Sequence, residues 1–113
     1  MGSPLIIISN TEERIKRKIK KEGEQLPQDK WGVINLCLFN PLIRFDEVKN
    51  AFLGTEVYDI DTNTTNRKMN GVDKVCKNVN VLIIFRHFEY ECRQKIENSK
   101  ASKPIPKHIY EIL

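Results

Sequence analysis

The sequence predicts a small single-domain α/β protein, with a mostly parallel or mixed sheet of about four strands and helices packed on it. Three observations lead there. Apolar runs rich in β-branched residues alternate along the chain with segments of helical character. Several of those runs are nearly continuous rather than alternating, which is the pattern of strands covered on both faces. The chain has 113 residues, enough for one domain and not two. An α+β sheet with an antiparallel hairpin near Asn70-Gly71 is the alternative.

The first run, Leu5-Ile6-Ile7-Ile8, reads as a buried strand. Ser9, Asn10 and Thr11 are cap-type residues, and Glu12 and Glu13 follow as first-turn acids, so a helix starts there. It is expected to run to about Lys21 and to stop near Gly23, with Ile15 and Ile19 as a narrow inward seam. Residues 31–39 form the second strand, ended by Asn40-Pro41. Phe45, Val48, Ala51 and Phe52 recur at helical spacing and predict a short helix closing at Gly54. Residues 55–61 form a third strand. Residues 62–71 are polar and read as a loop. Val72, Val75 and Cys76 belong to a short element of undetermined type.

Residues 81–85 are the strongest strand. Beyond Arg86 the period changes: Phe88, Cys92 and Ile96 lie at i, i+4 and i+8, with Glu89–Arg93 and Glu91–Lys95 as supporting pairs, which predicts a helix. A strand continuing to Cys92 through a bulge is the alternative. The domain is expected to span residues 1–98. Residues 99–113 are a Pro- and Lys-containing linker with a short apolar terminus, Ile109, Tyr110, Ile112 and Leu113. That terminus docks on its own domain or inserts into a protein partner.

Composition excludes several classes. Hydrophobic residues are 40% and charged residues 30%, which fits neither a collagenous nor a disordered chain. No run approaches the ~18 apolar residues of a membrane span, and residues 5–8 are too short for a signal peptide. Met1-Gly2 begins like an acylation site, but Ile6 stands where that pattern has Ser or Thr. Cys37, Cys76 and Cys92 are odd in number and widely spaced, so an intracellular, cytoplasmic setting without disulfides is expected, with Cys37 a buried thiol. The Lys-, Ile- and Asn-rich composition fits an AT-rich genome such as that of a virus, a mobile element or a low-GC bacterium. A small sheet with an exposed edge also favours a homodimer.

The formal net charge is +4, and it is unevenly placed. Arg14, Lys16, Arg17, Lys18, Lys20 and Lys21 put six cations into eight positions. Such a cluster is an electrostatic footprint for a nucleic acid or nucleotide, or else a solvated helix face. In an open α/β sheet, ligands lie beyond the carboxyl ends of the strands. Those ends carry Ser9, Asn10 and Thr11, then Asn40, then Asp61 and Thr62, then Arg86 and His87. Ser9, Asn10, Thr11 and Arg86 are suited to phosphate, through a helix N-terminus and a guanidinium. Arg86 and His87 are also the candidate catalytic pair for a phosphoester reaction, His87 as the proton carrier.

Asp59 and Asp61 share a strand face, but no third carboxylate accompanies them and no metal or other cofactor is expected. Neither a Walker loop nor a dinucleotide fingerprint is present. Trp31, Phe39, Phe45, Phe52, Phe85 and Phe88 are expected in the core. The leading expectation is a nucleic-acid- or nucleotide-binding protein that makes phosphate contacts with its basic helix. A regulatory protein–protein module and a small phosphoester-processing enzyme are the alternatives.

Overall fold

The computed structural model describes residues 11–87 and 89–113. The expected strand at residues 5–8, the caps Ser9 and Asn10, and Phe88 lie outside the described residues.

Helix α1 spans Thr11–Glu24, with Glu12 and Glu13 in its first turn and Lys21 in its last, both favourable to the helix dipole. Ile15, Ile19 and Gly23 recur every four residues and are its buried positions. Gly23 packs beside the chain at 76–79, where a Cβ would meet Val79 Cγ2 at 3.4 Å and Cys76 Sγ at 3.6 Å, ordinary contact distances. Asn78 Nδ2 donates to Gly23 O at 2.7 Å and so closes the helix end. Helix α2, Phe45–Leu53, starts where Arg44 N donates to Glu47 Oε1 at 3.0 Å. It ends at Gly54, whose φ of 108° is one that side chains disfavour.

Strand β1, Val33–Leu38, runs parallel to a later strand, Val81–Arg86, in register from Val33↔Val81 to Leu38↔Arg86. Between them the chain forms α2 and a two-stranded antiparallel ribbon, β2 (Glu56–Asp59) with β3 (Thr64–Arg67). The later strand is β4, and β5 (Gln94–Glu97) pairs antiparallel with it. The sheet is therefore mixed, in the order β1-β4-β5. Ile34 and Leu38 of β1, Leu82 and Ile84 of β4 and Ile96 of β5 face one core with Ile15, Ile19, Val48, Ala51 and Phe52 of the two helices. This is the helix-covered α/β sheet that the alternating apolar runs predict.

The opposite sheet face carries Val81 and Ile83, both fully buried. Their partners Glu97 and Lys95 share that face, as directly opposed residues do. The C-terminal segment, ending in α3 (Lys107–Ile112), lies there. Arg93 Nε donates to Leu113 O at 2.8 Å, and Lys95 Nζ sits 4.4 Å from the centroid of the Tyr110 ring. The apolar terminus is thus folded back on its own domain.

Several expectations need correction. The helix after Arg86 does not form, and neither does a continuous strand to Cys92. The chain turns at His87, makes a single 3-10 turn at Tyr90–Cys92 and returns as β5. The Glu–Arg and Glu–Lys pairs would each have given only about 0.2–0.5 kcal/mol. Pairing with β4 instead buries Ile96 opposite Leu82 and satisfies the β4 backbone on that edge. Residues 62–71 are not simply a loop, because they contain β3. The hairpin turn lies at residues 60–63, where Asn63 takes a φ of 54°, and not at Asn70-Gly71.

Asn70 instead ties the chain to Thr55, accepting from Thr55 N and donating to Thr55 Oγ1, both at 2.9 Å. Cys37, expected to be buried, is half-buried; Cys76 is the buried thiol and Cys92 is exposed. Of the aromatic residues assigned to the core, Phe52 is fully buried, whereas Trp31 and Phe39 are 38% and 72% exposed. Phe39 follows the last residue of β1 and precedes Asn40-Pro41, so no neighbouring strand covers it.

Candidate nucleic-acid interface

The seam formed by Ile15, Ile19 and Gly23 fixes which side of α1 meets solvent. At about 100° per residue, Arg14, Arg17 and Lys21 fall within one stripe on the side away from the seam. All three are exposed. None has an acidic partner among the described residues. The other cations of the helix are differently engaged. Lys16 Nζ lies 3.3 Å from Glu13 Oε1, with only 12% of its side chain exposed. Lys18 Nζ lies 3.8 Å from Glu22 Oε1. Lys20 is directed to the flank where Cys76 lies, and its charge lowers the thiol pKa against the larger, opposing effect of burial. Of the six clustered cations, Lys16 and Lys18 thus have acidic neighbours, Lys20 is exposed on a different side of the helix, and Arg14, Arg17 and Lys21 lie along one line. Arg14 to Lys21 covers roughly 10 Å of helix.

Arg14 also stands at the end of the sheet where β1 finishes. It lines a cleft of ≈ 370 Å³ with Thr11, Ile15, Asn40, Leu42, Ile43 and Glu47. A neighbouring groove of ≈ 220 Å³ runs between α1 and β1, where Arg14 and Lys18 meet Leu36, Leu38, Phe39 and Ile43. Arg14, Ile15 and Ile43 are common to both.

The segment from Phe39 to Ile43 is held in place by Arg86. Its Nη2 donates to Ile43 O at 2.6 Å and its Nη1 to Asn40 O at 3.4 Å. Its guanidinium lies 5.3 Å from the Phe45 ring centroid, a cation–π distance. Arg86, a candidate phosphate ligand in the sequence, is here a strut for the loop after β1. Asn40 Oδ1 accepts Leu42 N at 2.9 Å and shapes the same turn. His87 is exposed, and its ring packs on Phe39 with centroids 4.8 Å apart and planes tilted by 38°. Thr11 opens α1 beside this loop. The structure thus gathers Thr11, Arg14, Phe39, Asn40, Leu42, Arg86 and His87 at one end of the sheet.

Asp59 and Asp61 are not in that group. Asp59 Oδ1 accepts the Asp61 and Thr62 amides at 2.9 and 3.4 Å and forms the ribbon turn. No cluster of three or more metal-ligating side chains occurs among the described residues. Phe39 and Leu42 were not among the candidate site residues of the sequence. The readable signal was the Asn-Pro stop, which places Phe39 just outside the sheet.

No protein family, curated protein or solved structure matches the chain. Among the described residues, no helix is long and apolar enough to cross a membrane.

Proposed function

We propose that the protein binds nucleic acid through the outer face of α1, with Arg14, Arg17 and Lys21 contacting phosphates. The observation that supports this most is the line of three exposed cations without acidic partners, presented on a helix whose opposite side is anchored in the core. A solvated helix face has no need of such sorting. Lys16 and Lys18, by contrast, each lie within 4 Å of a carboxylate of the same helix. Anchoring by Ile15 and Ile19, 7% and 0% exposed, also means that the three charges are positioned before a ligand arrives.

The test is binding to labelled nucleic acid by fluorescence anisotropy as a function of salt. Three phosphate contacts give a slope of log K against log salt of about −2.7 on duplex and about −2.1 on single strands. Between about 50 and 200 mM salt, affinity for duplex then falls about 40-fold. Replacing Arg14, Arg17 and Lys21 together with Gln removes most of that dependence. The Lys16→Gln variant retains it. Equal salt slopes in the two variants, or no binding at low salt, rule out the stripe as the contact surface.

A further inference from the structure

We infer that the nucleic acid taken by this site is single-stranded, with a base stacked on Phe39 at the end of the Arg14–Arg17–Lys21 line. The inference rests on the proposed phosphate contacts and adds the class of ligand. Phe39 and Leu42 are 72% and 77% exposed, and both belong to the loop that follows β1. Exposure alone is ordinary, and Ile60 at 84% is more exposed; what distinguishes Phe39 and Leu42 is that they lie in one short loop beside Arg14.

Two features make this patch a surface with a fixed shape. Arg86 pins the carbonyls of Asn40 and Ile43. The His87 ring supports Phe39 from the side at a centroid distance of 4.8 Å. A third feature supplies charge. Arg14 and Lys18 line the same groove as Phe39, and Arg14 also lines the cleft beside Leu42. A cationic line that ends at an exposed aromatic ring is complementary to a strand carrying phosphates on one side and unpaired bases on the other. In a duplex the base faces are already stacked on one another, so the ring would have nothing to receive. A purely apolar partner would leave Arg14, which has no ion pair among the described residues, facing it uncompensated.

The experiment uses the full chain and a fluorescein-labelled thymidine oligomer of about 12 nucleotides, with its duplex as comparison. Wild type is expected to bind the single strand more tightly than the duplex. Phe39→Ala should weaken single-strand binding by about 5- to 150-fold, the range for loss of one base stack, with duplex binding and the salt slope unchanged. Phe39→Tyr keeps the ring and should keep the affinity. Equal binding of wild type and Phe39→Ala to the single strand, or preference for duplex, overturns the stacking inference while leaving the phosphate contacts standing. Binding without salt dependence, or none at all, removes both.

Discussion

Asn98 shows how much one side chain can organise. It is 6% exposed. Its Nδ2 donates to the carbonyls of Asp73, Cys76 and Val79 at 3.1, 3.1 and 2.9 Å, and its Oδ1 accepts Lys100 N at 2.9 Å. Three buried carbonyls of an irregular segment thus find their donor in a residue just beyond β5. Asn98→Ala removes that donor, leaving the Cys76 carbonyl with Val79 N at 3.0 Å, and about 2–3 kcal/mol of stability should be lost in urea denaturation. Asn98→Asp should cost more, because an ionised carboxylate has no proton to give and faces three carbonyl oxygens. An alanine variant within about 0.5 kcal/mol of wild type would refute this account.

Gly71 is equally constrained, by space. A Cβ there would fall closer than 3.0 Å to backbone atoms of Phe52, Leu53 and Gly54, so Gly71→Ala must push the chain off the end of α2. The cysteines divide by access. Cys92 should react with a thiol reagent in the native state, and Cys76 only on opening. Burial raises the Cys76 thiol pKa above 9.0, with Lys20 opposing. A raised acid pKa favours the folded state while the group stays protonated. That contribution is complete below pH 9.0 and lost as pH rises through the folded-state value. The Tyr110 phenol is raised from 10.0 in the same sense, chiefly by its hydrogen bond with Glu97. Melting temperature should therefore fall on the alkaline side, and more gently in Cys76→Ala.

At the level of elements, what could be read from the sequence depended on how local the cause was. Helices α1 and α2 and strands β1 and β4 follow from their own periodicity, caps and stops. Strand β5 does not. Gln94–Glu97 becomes a strand because Leu82, fourteen residues upstream of Ile96, offers it an edge. The site divides in the same way. The cations of α1 are legible as a cluster. Which of them form the unpaired line depends on the positions of Glu13 and Glu22 and on the angle of Lys20 around the helix, and Phe39 is exposed because the sheet stops short of it.

The ribbon β2–β3 is an element of another kind. All its side chains are exposed except the half-buried Arg67. It is tethered at its base, where Arg67 Nη1 donates to Asn50 Oδ1 at 3.0 Å and Gly54 O at 2.7 Å. A ribbon with so little burial opens on its own. Its amides should exchange hydrogen far faster than those of Leu82, Ile83 and Ile84, measured residue by residue.

The whole molecule is three layers, with α1 and α2 on one sheet face and the C-terminal segment on the other. The two faces have separate tasks. Tyr110 takes the Lys95 ammonium against its ring, and Glu97 raises the pKa of its phenol, both on the face away from α1. Tyr110→Ala should therefore lower the melting temperature while leaving salt-dependent nucleic-acid binding at its wild-type slope. A parallel loss of both in fully folded protein would mean that the faces are coupled.

The arrangement of strands around β4 also sets a sequence of events in time. Leu82 meets Ile96 across fourteen positions, whereas Val33 meets Val81 across forty-eight. The shorter loop closes at lower entropic cost, so the β4–β5 return is the expected nucleus, with β1 docking after the transition state. Ile96→Val should then slow refolding, while Ile34→Val should chiefly hasten unfolding. On a ribosome, where β1 emerges well before its partner, the first strand of the sheet must wait for the last third of the chain.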